Sequence, residues 1–175
     1  MAYAVIRVRG QPDVNRDIEF TMGLLGLNRV NHCVVVPENP STKGMLQVVK
    51  DYCTWGEVNQ ETLAAMIRAR GKLSGDRDIT DDYLKEKSEF ATVDDMAKAI
   101  IENDYKMKDV EAAKPVFRLH PPVKGYEGNK RSYRNGGALG YRGRRCALPA
   151  TTSSSRVSMP LPAARSIRTT TIASP

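Results

Sequence analysis

His32-Cys33-Val34-Val35-Val36 sets the architecture of the first third of the chain. Its apolar run is too short for a helix and too rich in β-branched residues, and it fits a strand buried on both faces. The flanks support that assignment. Upstream, Asn15 can cap a helix that carries Ile18, Met22 and Leu25 on one face, and Gly26 is placed to stop it. Downstream, Asn39-Pro40 puts proline in the first turn of a second helix, whose apolar face is Met45, Leu46, Val49 and Tyr52. Further out lie two more strand candidates. Ala2 to Arg9 alternates roughly, with Val5 and Val8 among its β-branched residues, and ends at Gly10-Gln11-Pro12. Thr54 to Val58 is the other.

The order β-α-β-α-β within residues 1–58 predicts one sheet to which the second crossover returns, a ferredoxin-like split β-α-β core. Residues 59–116 are expected to be helical additions packed on it. Asn59 can cap a helix carrying Leu63, Met66 and Ile67 and ending at Gly71. Thr92 can cap another, in which Val93, Met96, Ala97, Ile100 and Ile101 repeat at i, i+3, i+4, i+7 and i+8, the stripe of a helix laid on a core. A chain of 175 residues accommodates one core with extensions, so the expected class is α+β.

The formal charge of +7 is unevenly spread. Met1 to Val116 holds 16 Lys and Arg against 19 Asp and Glu, a balance of −3, while Phe117 to Arg145 holds 8 against 1, a balance of +7. A localised basic stripe on a nearly neutral body points to a polyanionic partner, because solubilising charge would be distributed. In that stripe Arg118, Lys124, Lys130, Arg131, Arg134, Arg142, Arg144 and Arg145 are interleaved with Tyr126, Tyr133 and Tyr141. Cations neutralise phosphates and release counterions; tyrosine and arginine planes stack on exposed bases. Glycines such as Gly136 and Gly137 allow positive-φ turns and close approach of the backbone to sugar-phosphate. With few apolar residues and no sustained period, the segment is expected not to bury itself, and to order as it binds.

Other chemistries find little support. Gly136-Gly137-Ala138-Leu139-Gly140 is not followed by Lys-Ser/Thr, which argues against a nucleotide cradle. Cys33, Cys53 and Cys146 form no CxxC pair and lie away from any histidine pair, so they are read as reduced intracellular thiols, with no metal site expected. Asp81-Asp82 and Asp94-Asp95 each follow a threonine closely, as helix N-terminal charges do. No catalytic constellation, cofactor or small-molecule substrate is expected. No apolar run approaches about 18 residues, and Arg7 and Arg9 follow the first apolar run, so neither a membrane span nor a secretory signal is expected. Two further readings stay open on these residues: a ligand-sensing module whose basic loop closes over a phosphorylated metabolite, and a protein-interaction scaffold using the Val93 to Ile101 helix.

Gly26-Leu27-Asn28-Arg29-Val30-Asn31-His32-Cys33-Val34-Val35-Val36, with Pro40 to Met45, resembles the core signature of the ribosomal protein L-thirty family. Phe117-Arg118-Leu119-His120-Pro121-Pro122 and Gly136 to Gly143 resemble the archaeal and eukaryotic branch, whose eukaryotic member is called L-seven. The resemblance implies a ferredoxin-like core with helical additions and a basic segment. It also implies a place in the large subunit of the cytoplasmic ribosome, with large-subunit rRNA, 5S rRNA and neighbouring ribosomal proteins as partners. The absence of a long basic extension before Met1 fits the archaeal type. The RNA contacts expected from the segment are Arg118, His120, Lys124, Tyr126, Lys130, Arg131, Tyr133, Arg134, Gly136, Gly137, Tyr141 and Arg142. From the core the resemblance adds Arg29, Asn31, His32 and Lys43. After Gly143 the family pattern stops. Residues 146–175 hold many Ser and Thr and no acid, a composition expected to be disordered, and the abrupt change suggests a frameshifted or otherwise aberrant end. Arg144 and Arg145 therefore stay outside the expected contacts.

Overall fold

Buried along its whole length, Ala2–Arg7 forms the central strand, β1. The structure is a computed structural model that describes residues 1–88, 90–102, 107, 109–110, 112–123, 125–126 and 128–143. β1 pairs antiparallel with β2, His32–Pro37, placing Val5 opposite Val34, and antiparallel with β3, Cys53–Glu57, placing Val5 opposite Trp55. β2 and β3 therefore run parallel with β1 between them, which is the split β-α-β arrangement expected from the sequence. Helix α1, Arg16–Leu24, joins β1 to β2, and α2, Pro40–Val48, is the crossover from β2 to β3. The β1 strand is two residues shorter than its sequence pattern suggested. Both Val8 and Arg9 turn their N–H groups onto the Tyr52 carbonyl at 2.9 and 3.1 Å, which ends the regular ladder.

Alternation along β1 distributes the core between two faces. Tyr3 and Val5 pack with Met22, Leu25 and Leu27 and with Leu46 and Val49, so α1 and α2 cover one face. Ala2, Ala4 and Ile6 pack with the opposite layer, made by α3, Gln60–Arg70, α4, Asp81–Lys87, and α5, Val93–Glu102. Leu63 and Ile67 of α3, Leu84 of α4 and Met96 of α5 are fully buried there, each contributing roughly 2 kcal/mol of hydrophobic stabilisation. The Val93, Met96, Ala97 and Ile100 stripe faces this core, and Ile101 packs at its margin.

Polar groups cap α4 and α5 and tie the three helices together. Thr80 Oγ1 accepts from Tyr83 N at 3.4 Å and Thr92 Oγ1 accepts from Asp95 N at 3.3 Å. Asp81 Oδ1 accepts from Val93 N at 3.1 Å, linking α4 to α5, and Arg68 Nη2 of α3 pairs with Asp94 Oδ2 at 2.6 Å. These contacts give Asp81 and Asp94 structural roles at the helix starts. Asn59 occupies the cap position of α3 but makes no capping bond with its side chain.

The expectation that the basic segment would not bury itself is overturned. Strand β4, Val116–Arg118, pairs antiparallel with β2 and sets Phe117, fully buried, opposite Cys33. Strand β5, Gly140–Tyr141, pairs in parallel with β3 and sets Gly140 opposite Thr54. The sheet order is β4-β2-β1-β3-β5. Between its two strands the segment joins the outer strand beside β2 to the outer strand beside β3, and Ala138 and Leu139 bury against Val8 with Tyr126 packed alongside. A few apolar residues suffice because the sheet supplies the rest of the surface they cover. Lys124 and residues 144–175 lie outside the described residues.

Candidate nucleic-acid interface

β1 ends, and β2 and β3 begin, at one end of the sheet. Register places Ile6 opposite both Cys33 and Thr54, so residues 28–32, 51–53, 118–119 and 140 converge there. This convergence gathers Arg29, Asn31, His32 and Arg118 from among the expected contacts. Arg29 is exposed in the loop before β2, and its carbonyl accepts from His32 N at 3.2 Å. Asn31 takes a left-handed conformation, φ 64°, which asparagine tolerates better than most residues. Its side-chain Oδ1 accepts from the Tyr126 hydroxyl at 2.6 Å and its carbonyl accepts from Leu119 N at 3.0 Å. The α1-β2 loop and the basic segment are thus joined by both main chain and side chain.

His32 and Arg118 are directly opposite each other across β2 and β4. Burial lowers the pKa of His32, and the nearby Arg118, Arg29 and Arg7 lower it further. Tyr126, half buried, is shifted upward by desolvation. His120, Lys130, Arg131 and Arg134 are exposed. Tyr133 opens a single 3-10 turn, Tyr133–Asn135, with 40% of its surface free, and the Arg142 guanidinium lies 5.3 Å from its ring centroid.

Several expected contacts do structural work. Arg142 donates from Nε to Thr54 Oγ1 at 2.8 Å and from Nη2 to the Ala138 carbonyl at 3.1 Å, fastening the segment to β3. Gly136 has φ 75° and closes the 3-10 turn. At Gly137 a Cβ would fall 2.0 Å from the Arg131 carbonyl oxygen, so that glycine serves the segment's own packing. Tyr141 packs edge-on against Tyr3, centroids 6.4 Å apart, and its hydroxyl donates to Glu57 Oε1 at 3.0 Å. Lys43 is not brought to the cluster. It sits beyond the other end of β2, where its Nζ meets Glu38 Oε1 at 2.8 Å. Hydrogen bonds from Lys43 and Tyr3 hold the Glu38 carboxyl below its usual range.

Two residues of this end escaped the sequence reasoning. The Arg9 guanidinium lies 4.7 Å over the Tyr52 ring and donates to the Asp51 carbonyl at 3.2 Å. Arg7, only 2% exposed, donates to the carbonyls of Leu27, Asn28 and Arg9. Averaging charge over residues 1–116 hid both; the available signal was an arginine on the inward-facing phase of a strand.

Exposed arginines and a free tyrosine face are the kinds of group that meet phosphates and unpaired bases. The family model described as ribosomal protein L30p/L7e matches residues 3–53. Over 141 residues the chain is 51% identical to the large ribosomal subunit protein uL30 of Archaeoglobus fulgidus, covering 81% of this chain and 92% of that protein. It is 49% identical to the protein of the same name from Methanobrevibacter smithii, with the same coverage. Against that of Methanosphaera stadtmanae it is 46% identical over 140 residues, covering 80% of this chain and 91% of the other. The chain belongs to the ribosomal protein L30p/L7e family.

Proposed function

We propose that the chain is a non-catalytic, structural constituent of the large ribosomal subunit, located in the cytoplasmic ribosome, that binds large-subunit rRNA and 5S rRNA through the end of the sheet where β1 finishes. In this reading residues 1–58 are the platform, residues 59–116 stiffen its second face, and residues 117–145 carry most of the RNA contacts. Neighbouring large-subunit proteins are its remaining partners. The observation that supports the reading is the pairing of His32 with Arg118 beside the exposed loop residue Arg29, with the exposed cations Lys130, Arg131 and Arg134 carried on the segment whose Ala138 and Leu139 pack against Val8 at the end of β1.

Phosphate contacts supply affinity, and Tyr133 offers a stacking surface that tolerates different bases. Because Phe117, Tyr126 and residues 138–142 of the segment already pack on the sheet or its neighbours, binding needs less ordering than the coupled folding its composition suggested. Replacing Lys130, Arg131 and Arg134 together by Gln is expected to flatten the slope of log K against log salt by about 2, at roughly 0.7 per phosphate neutralised on single strands. Filter binding to purified 5S rRNA and to large-subunit rRNA measures it. An unchanged slope on both RNAs overturns the assignment, and a change on one alone identifies the RNA that the segment holds.

A further inference from the structure

We propose that Arg7 is a positioning residue for RNA binding: from within the protein it fixes the loop that presents Arg29 to the polyanion. The proposal rests on the reading above, in which Arg29 is a contact. Tyr3 and Val5, which precede Arg7 on the same face of β1, are packed in an apolar core. An apolar side chain would continue that pattern, and a buried guanidinium is tolerated only when its donors are satisfied. Here main-chain carbonyls accept from three of its five N–H groups: Nη1 donates to Leu27 O at 2.8 Å and to Asn28 O at 3.2 Å, and Nε donates to Arg9 O at 3.0 Å.

The main chain of Arg7 holds the same loop from its other side, its carbonyl accepting from Asn31 N at 2.8 Å. The loop is therefore gripped at Leu27 and Asn28 before the tip and at Asn31 after it. Arg29 and Val30, between the grips, are exposed. A tip held this way meets a phosphate without first losing loop entropy. Only arginine has a planar fork broad enough to reach several carbonyls at once; a lysine ammonium at this site serves fewer.

Full-length chains carrying Arg7→Met, Arg29→Ala, Lys130→Ala, and the pairs Arg7→Met with Arg29→Ala and Arg7→Met with Lys130→Ala, are titrated against purified large-subunit rRNA at fixed salt. Loss of Arg29 is expected to weaken binding roughly tenfold, the worth of one charge-assisted hydrogen bond. Arg7→Met is expected to weaken it several-fold. Added to Arg29→Ala it should weaken binding by less than about twofold, and with Lys130→Ala the single losses should multiply. Multiplication in both pairs, an equal shortfall in both, or wild-type binding by Arg7→Met overturns the positioning role. If Arg7→Met does not fold, Arg7→Lys carries the same cycle with a smaller expected loss. Wild-type binding by Arg29→Ala removes the contact itself, whereas a normal Arg29 loss uncoupled from Arg7 removes only the positioning.

Discussion

Gly137 has no room for a side chain. A Cβ built there meets the Arg131 carbonyl oxygen at 2.0 Å and its carbonyl carbon at 2.4 Å, atoms that cannot rotate away. At Gly136 the space is open and only the left-handed φ of 75° opposes substitution. Overpacking against backbone costs about 1 to 3 kcal/mol, and a left-handed alanine about 1 kcal/mol. Gly137→Ala is therefore expected to lower the urea midpoint more than Gly136→Ala does, and equal shifts would contradict the packing. Both glycines were expected to admit RNA to the backbone. In the fold they let the segment turn back on itself, a role composition cannot distinguish from the first. Arg7 was hidden for a related reason: an arginine in a strand looks solvent-facing until its carbonyl acceptors, twenty residues away in sequence, are known.

β5 contains only Gly140 and Tyr141, yet side chains and flanking main chain reinforce it. Thr54 Oγ1, buried in β3, donates to the Gly140 carbonyl at 3.2 Å and accepts from Arg142 Nε at 2.8 Å, while Arg142 N donates to the Trp55 carbonyl at 2.8 Å. Thr54→Val keeps the shape and removes both hydroxyl bonds, leaving a guanidinium donor without this acceptor. A loss of about 1 to 2 kcal/mol follows, with faster amide exchange at Arg142, and unchanged exchange there would mean that the hydroxyl does not fasten the strand. The elements legible in the sequence were those with a period: the β-branched run of β2, the apolar faces of α1 and α2, and the stripe of α5. β4 and β5 were not legible, because strands of three and two residues carry no period and exist through the partners already in the sheet. The basic segment of the candidate interface was visible in charge counting, but the candidates Arg29, Asn31 and His32 came through family resemblance, and Lys43 came with them although the fold holds it apart.

At the scale of the whole molecule, pH acts on stability through His32. Its folded pKa lies below the usual 6.5, so the unfolded chain binds the proton more readily. The stabilisation linked to neutral His32 is complete above pH 6.5 and is lost as pH falls from there through the folded pKa. Glu38 and Asp76, whose carboxyls are held below their usual 4.5 and 3.8, contribute stability that is lost at lower pH. The urea midpoint should therefore drop between pH 7.5 and 5.5 in the wild type and drop less in His32→Gln; identical drops would place the titration elsewhere. The position of β4 and β5 on the outside of the sheet also has a consequence for how the protein is made. Synthesis runs from Met1 onward, so β1, β2 and β3 emerge with the flanks of β2 and β3 bare, and bare strand flanks invite pairing with other chains. The cover comes only when β4 and then β5 have emerged. A nascent chain halted before Tyr141 has β4 but not β5, so the flank of β3 that pairs with Gly140 and Tyr141 stays open to strands of other chains.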